Sequence, residues 1–262
     1  MNRIDDKFEA LKTNGRKALI TFITAGDPNL ESTYNIVLAL EEAGADIIEL
    51  GIPYSDPLAD GPTIQEASLR ALKNNISIQD IMETAKKIRL KSHIPIVFLV
   101  YYNSIFKYGT ERFLEDSYKS GIDGIIIPDL PLEERKEMLD EAAKRNIYLI
   151  PLIAPTSKDR IKKISQQGKG FLYCVTLTGV TGAREDITTN IKEYMDTVSQ
   201  FTNLPRALGF GISTPEMAKQ LKNYCEGIII GSAIVERIAK SYNKSDMLKE
   251  LKDFVSSVKE VL

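Results

Sequence analysis

Residues 46–66 read DIIELGIPYSDPLADGPTIQE and join an apolar strand, a proline-rich loop and the start of a helix. Side chains alternate across a strand, so Ile47 and Glu49 are expected to share one face of the run that ends at Leu50. The sequence Gly-Pro-Thr at 61–63 is a typical helix start, because proline is tolerated in the first turn. Strand, loop and helix in this order form the repeating unit of parallel α/β proteins, and the rest of the chain repeats it.

Repetition of this unit predicts the fold. Eight segments are predicted to be strands: 18–25, 46–52, 94–100, 122–127, 147–153, 171–176, 206–210 and 227–231. Helices are predicted at 3–13, 30–43, 62–73, 77–90, 110–119, 131–145, 157–167, 188–200 and 214–223, and from 232 onward. A doubly wound sheet fits this alternation, but eight units without a dinucleotide fingerprint favour a closed (β/α)8 barrel of the TIM type. Residues 3–13 are then an extra N-terminal helix. No linker-like segment divides the chain, so 1–262 are expected to form a single catalytic domain.

Composition excludes several classes of protein. The 262 residues carry a formal net charge of −2, which argues against a nucleic-acid-binding protein. No apolar run approaches membrane-spanning length and the N-terminus does not resemble a signal peptide, so we expect a cytoplasmic protein without membrane contact. Cys174 and Cys225 lie in or beside apolar runs and are expected to be buried, reduced thiols. With His93 as the single histidine, neither a histidine-based metal site nor a Ser-His-Asp triad is expected, and no metal is predicted.

Two carboxylates in the opening stretch are the candidate catalytic residues. Glu49 places a charge in an apolar strand, and burial raises the pKa of a carboxyl group towards the range useful for proton transfer. The alternative is a solvated strand end or an ion pair with a structural cation. Asp60 follows in a loop that prolines make rigid. Its alternative role is to cap the helix that begins nearby.

Two glycine-containing helix starts predict a phosphate site. Gly211, after the seventh strand, and Gly231 with Ser232, after the eighth, each precede a helical pattern. In barrels of this kind the loops after these two strands commonly bind phosphate through backbone N–H groups. The loop at 178–184, TGVTGAR, combines glycines with hydroxyl groups and is a candidate lid over the substrate. A connector without a function is the alternative for this loop.

Apolar and aromatic residues near the predicted strand ends are candidates for the wall of a pocket that accepts an aromatic ligand. Core packing is the alternative for most of them. They are Phe22, Leu99, Tyr101, Ile127, Ile153, Tyr173 and Phe210.

Several motifs, in order along nearly the whole chain, resemble those of the tryptophan synthase α subunits. They are ITAGDP at 23–28, ELGIPYSDPLADGPTIQ at 49–65, IIIPDLP at 125–131, TGVTGAR at 178–184, GFGIST at 209–214 and GSAIV at 231–235. The resemblance implies a (β/α)8 barrel that cleaves indole-3-glycerol phosphate to indole and glyceraldehyde 3-phosphate, a lyase reaction in tryptophan biosynthesis.

The resemblance also implies a role for each matching residue. Glu49 matches the acid/base residue, and Asp60 matches the carboxylate that accepts a hydrogen bond from the indole N–H. Tyr173 is similar to the residue that supports the glutamate, and Thr181 to the substrate-site residue in the lid that orients the aspartate. The phosphate contacts correspond to Gly182, Gly211, Gly231 and Ser232, with Phe210 nearby. The indole-binding wall corresponds to Phe22, Leu99, Ile127 and Ile153.

A partner is implied in the same way. The family's α subunit works in an α2β2 heterotetramer with a β subunit that holds pyridoxal phosphate, so no cofactor is expected in this chain. Tyr54, Asp56 and Pro57 resemble the surface that contacts the partner. Three alternatives stay open: a stand-alone lyase that releases free indole, a non-catalytic activator subunit, and a sugar-phosphate isomerase of the same fold.

Overall fold

The computed structural model describes residues 2–175, 184–209 and 211–262 and has one parallel sheet whose strands alternate with helices. The strands are β1 (Ala18–Thr24), β2 (Ile47–Gly51), β3 (Ile96–Leu99), β4 (Gly124–Ile126), β5 (Tyr148–Leu149), β6 (Leu152–Ile153), β7 (Leu172–Val175), β8 (Arg206–Gly209) and β9 (Gly227–Ile230). The helices are α1 (Arg3–Thr13), α2 (Leu30–Glu42), α3 (Pro62–Leu72), α4 (Ile78–Arg89), α5 (Tyr102–Tyr108), α6 (Thr110–Lys119), α7 (Lys136–Lys144), α8 (Lys158–Gln167), α9 (Arg184–Ser199), α10 (Pro215–Leu221), α11 (Ser232–Ser241) and α12 (Met247–Lys259).

The sheet closes through the segment predicted as the fifth strand. Its order is β5-β4-β3-β2-β1-β9-β8-β7-β6, so the two ends of the sheet are two halves of one stretch. On one side the Ile150 N–H donates to the Ile125 carbonyl at 2.9 Å, and on the other the Tyr173 N–H donates to the Pro151 carbonyl at 3.0 Å. Pro151 has no N–H, which accounts for the interruption. The predicted closed barrel is confirmed, with its fifth strand split into β5 and β6.

Some helices differ from their predicted bounds. The helix predicted at 131–145 is a 3₁₀ turn, Leu132–Glu134, followed by α7. The C-terminal helical region divides into α11 and α12, and a second 3₁₀ turn, Lys222–Tyr224, follows α10. Helix α5 was not predicted, because its seven residues, YNSIFKY, are too few to show a helical period and include weak helix formers.

The core has two layers, as strand alternation requires. Ile47 and Val97 belong to the cluster inside the barrel, whereas Ile48 and Phe98 belong to the cluster between the sheet and the helices. Helix α1 closes the N-terminal end of the barrel with three buried side chains that join the inner cluster: Ile4, Phe8 and Leu11. The C-terminal end of the barrel is left for a binding site. Cys174 and Cys225 are buried and free, as predicted. Within the described ranges, no helix is long and apolar enough to cross a membrane.

A buried ion pair fastens α3 to the loop after β1. The Arg70 guanidinium donates from Nε and Nη2 to the two carboxylate oxygens of Asp27, at 2.9 and 2.8 Å. Asp27 is only 3% exposed. The Asn74 side chain donates to the carbonyls of Gly26 and Pro28 in the same loop. Helix α3 is thereby fixed beside β1, and the loop that precedes α3 carries Asp60.

We expect Arg70→Met to lower the free energy of unfolding by roughly 3 kcal/mol, because it leaves the Asp27 carboxylate buried without its partner. The change keeps much of the apolar stem of the side chain. Urea denaturation measures the loss. Lys86→Met is the matched control, since Lys86 pairs with Glu83 on the surface, where both side chains are about half exposed, and such pairs contribute roughly 0 to 1 kcal/mol. Equal losses in the two variants would contradict the prediction.

Candidate active site

A cavity of about 670 Å³ opens at the C-terminal end of the barrel. It brings predicted catalytic, wall and phosphate-binding residues together from distant parts of the sequence. They are Phe22, Glu49, Asp60, Leu99, Tyr173, Gly211, Gly231 and Ser232. The predictions for Thr181, Gly182 and Phe210 fall on residues outside those that the structure describes.

Glu49 lies on β2 opposite Phe22 of β1, with its side chain in the cavity. The residue is 1% exposed, and neither carboxylate oxygen has a hydrogen-bond partner among the described residues. Burial, and secondly the charge of Asp60, raises the pKa of Glu49 to about 8. A solvated strand end does not fit this burial, and no ion pair to Glu49 occurs in the described part of the chain. Glu49 is therefore placed to exchange a proton near neutral pH.

This raised pKa makes stability depend on pH. Between pH 4.5 and about 8 the folded chain holds a proton on Glu49 that the unfolded chain has released, so stability falls as pH rises through this window. We expect Glu49→Gln to remove this contribution, on the order of a few kcal/mol at pH 9, and to make the variant more stable than the parent there. Urea denaturation at pH 5 and pH 9 tests this. A parent and variant whose stabilities change equally with pH would contradict the prediction.

Asp60 lies in the loop between β2 and α3. The N-cap residue of α3 is Gly61, so Asp60 does not cap this helix. Burial raises the pKa of Asp60 to about 6, although the nearby Tyr101 hydroxyl lowers it. At neutral pH the site therefore holds a protonated Glu49 and an ionised Asp60, two carboxyl groups suited to different roles.

Two aromatic rings beside Glu49 pack closely against glycines. A Cβ added to Gly51 would lie 2.6 Å from the Phe22 ring, and one added to Gly209 would lie 2.7 Å from the Tyr173 ring. Real side chains do not approach so closely, so any larger residue at these strand ends would push a ring into the cavity. Leu99 completes this part of the wall.

Three other predicted wall residues do not line the described cavity. Ile127 and Ile153 are buried in the cluster that faces the helices, because their neighbours Ile126 and Leu152 occupy the inward positions. Tyr101 lies behind the cavity, with its hydroxyl at the Ala59 N–H. Binding of the ligand by these three residues stays a prediction.

The predicted phosphate residues meet at one side of the cavity. Gly211 has a φ of +76°, which favours glycine, and Gly231 precedes the first turn of α11, where Ser232 begins the helix. The first N–H groups of a helix have no partner within it, so they can receive an anion. Phosphate binding here stays a prediction.

Sequence reasoning missed several lining residues, among them four on α11: Ala233, Glu236, Arg237 and Lys240. Glu236 and Arg237 lie three and four residues after Ala233, and Lys240 follows them by four and three, so the four residues share one face of the helix. This period was the signal that could have found them. Thr63 and Ile64, in the first turn of α3, were missed in the same way. Among the described residues, no group of three or more His, Cys, Asp or Glu side chains could hold a metal ion.

Comparison with known proteins agrees with the motifs. The family model for the tryptophan synthase alpha chain matches residues 8–262. The tryptophan synthase alpha chain of Thermoanaerobacter sp. (strain X514) is 73% identical over 262 residues, the whole of both chains. The crystal structure of tryptophan synthase subunit alpha from Legionella pneumophila str. Paris superposes with a TM-score of 0.93 at 37% identity, covering 100% of this chain and 98% of that one. The tryptophan synthase complex from Pyrococcus furiosus contains a chain that matches with a TM-score of 0.84 at 37% identity, covering 92% of this chain and 97% of that one. The chain belongs to the tryptophan synthase alpha chain family.

Proposed function

We propose that this chain cleaves indole-3-glycerol phosphate to indole and glyceraldehyde 3-phosphate, the lyase half-reaction of tryptophan biosynthesis. The observation that carries the assignment of roles is that Glu49, buried and without a hydrogen-bond partner among the described residues, shares one cavity with Asp60. Both carboxyl groups have a raised pKa, Glu49 the more strongly.

The reaction needs two proton transfers around one carbon–carbon bond. A proton is added to the indole ring carbon that carries the glycerol chain, and a proton leaves the adjacent hydroxyl group. The bond between the ring carbon and the carbon that carries this hydroxyl group then breaks. The electrons of the broken bond restore the indole ring, and the carbon that carried the hydroxyl group becomes the aldehyde carbon. Glu49, protonated at neutral pH, supplies the acid, and its carboxylate then serves as base.

Asp60 acts on the charge that appears during this step. Protonation of the ring carbon makes the indole nitrogen positive, so its N–H becomes a stronger hydrogen-bond donor. An ionised Asp60 that accepts this hydrogen bond stabilises the transition state more than the ground state. Its pKa of about 6 keeps it ionised at neutral pH.

The rest of the cavity matches the two ends of the substrate. Phe22, Leu99 and Tyr173 offer apolar surface for the indole ring, and the helix start at Gly231 and Ser232 faces the same cavity for the phosphate. Because this phosphate site relies on backbone N–H groups, it holds the substrate without placing a second proton donor at the reacting carbon.

The partner is a tryptophan synthase β subunit, in an α2β2 assembly whose pyridoxal phosphate belongs to the β subunit. The loop with Tyr54, Asp56 and Pro57 carries Leu58, which is 86% exposed, and the neighbouring helix α5 carries Phe106, which is 69% exposed. These two side chains offer apolar surface that the partner can cover. The net charge of −2 gives no support for a nucleic-acid partner, and we place the protein in the cytoplasm.

Indole release from indole-3-glycerol phosphate tests this function. The purified chain is assayed alone and with a tryptophan synthase β subunit, and we expect weak activity that rises steeply when the partner is added. Strong activity of the chain alone would instead indicate a stand-alone lyase. Absence of cleavage under both conditions, with the chain folded, would leave a non-catalytic activator or an isomerase and would overturn the proposal.

A further inference from the structure

Tyr101 follows β3 and lies behind the active-site cavity, where it contacts the loop that carries Asp60. It is 4% exposed and does not line the described cavity. Its hydroxyl oxygen accepts a hydrogen bond from the backbone N–H of Ala59 at 3.0 Å. Ala59 directly precedes Asp60, so this bond fixes the backbone at the base of the catalytic candidate.

The Tyr101 ring is itself held in place. It stacks on the ring of Tyr54, with 4.9 Å between centroids and 20° between planes. The Tyr54 hydroxyl accepts a hydrogen bond from the Asn103 side chain at 2.9 Å. A buried, stacked ring has few rotamers to lose, so its hydroxyl is a preorganised partner for the loop.

We propose that Tyr101 is a positioning residue, whose hydroxyl oxygen holds the backbone beside Asp60 and whose hydroxyl proton is donated to the Asp60 carboxylate. A tyrosine hydroxyl can accept one hydrogen bond and donate another. Here the oxygen accepts from Ala59, which leaves the proton to donate to the Asp60 carboxylate. This inference rests on the proposed function of Asp60.

The groups around Asp60 explain why this hydroxyl is important. Glu49 approaches from β2 and Tyr173 from β7, and negative charge on either would oppose ionisation of Asp60. Asp129, after β4, accepts a hydrogen bond from the Tyr102 N–H at 2.8 Å. Its negative charge opposes ionisation of the Tyr101 hydroxyl. Of these groups only Tyr101 favours the ionised form of Asp60, because it donates a hydrogen bond to the charge.

Tyr101→Phe tests the inference, since it keeps the ring and removes the hydroxyl. The pH profile of indole release is measured for the parent and the variant. We expect kcat to fall roughly ten- to a hundredfold, as for loss of a hydrogen bond to a charged group, with less change in KM. We also expect the acid limb of the profile to move to higher pH, because the pKa of Asp60 rises without its donor.

Two controls separate positioning from simple loss of stability. Tyr108→Phe removes a hydroxyl that donates to Asp116 at 2.8 Å in the α5–α6 region, and we expect its profile to match that of the parent. In an Asp60→Asn background, Tyr101→Phe is expected to reduce kcat much less than in the parent, since it acts through Asp60. Additive losses in the double variant, or an unmoved acid limb, would overturn the inference.

A direct titration keeps this test separate from that of the proposed function. The Asp60 carboxyl carbon is followed by NMR across pH 4 to 8 in ¹³C-aspartate-labelled protein, with Asp60→Asn assigning the signal. We expect Tyr101→Phe to raise the titration midpoint. An unchanged midpoint refutes the role of Tyr101 even if cleavage is confirmed, whereas a raised midpoint in a chain that cleaves nothing supports it and refutes only the function.

Discussion

Glu49→Gln is expected to lower the rate of indole-3-glycerol phosphate cleavage by roughly a thousandfold or more, because general acid/base catalysis contributes about 10² to 10⁴. The amide preserves the shape of the side chain but cannot transfer the proton. Asp60 lines the same cavity, but its proposed role there is to remain ionised.

Binding of the substrate should survive this change. The predicted phosphate residues at the start of α11 belong to another element than Glu49, so calorimetry with indole-3-glycerol phosphate is expected to give a Kd close to that of the parent. Glu137→Gln, an exposed residue on α7, is the matched control and should cleave normally. Near-normal turnover by Glu49→Gln would show that the acid/base role is wrongly assigned.

Asp60→Asn is expected to slow cleavage by roughly a hundredfold, the effect of removing one preorganised group that stabilises developing charge. The amide oxygen still accepts a hydrogen bond from the indole N–H but carries no negative charge. Because the carboxylate is needed in its ionised form, the parent should lose activity as pH falls through about 6, and this limb should be absent from the variant.

The pH profile of indole release, measured for the parent and for Asp60→Asn, checks this prediction. Asp140→Asn, exposed on α7, serves as the control and should keep both the rate and the acid limb of the parent. If Asp60→Asn retained a normal rate, the residue would have no part in the chemistry. If it were slow but kept the acid limb, another group would be responsible for that limb.

Local pattern was sufficient for much of this site. Glu49 and Ile47 alternate with Ile48 and Leu50, so the sequence placed the carboxylate on the same face as Ile47, and the structure shows that this face is the inward one. The positive φ of Gly211 and the helix start at Gly231 with Ser232 follow from residue types that favour such positions. Because barrel strands end at one face, these separate signals converge on one cavity.

Other features depend on contacts between segments that are distant in the chain. The spacing of residues within a short stretch of sequence does not reveal such contacts. The fifth strand is split because Pro151 interrupts a segment that bonds Ile125 on one side and Tyr173 on the other. The position of Tyr101 depends on Tyr54 and Ala59, more than forty residues earlier in the chain.

The sequence by itself determined the number and order of the βα units, the face that Ile47 and Glu49 share and the family motifs, because each depends on residues close together in the chain. Only the tertiary structure decided how Glu49 is buried without a partner in the described residues, that Ile127 and Ile153 lie on the helix side, and that Tyr101 contacts the Asp60 loop. The physical reason is that burial and pKa are set by every group that surrounds a side chain, and these groups come from strands and loops far apart in sequence.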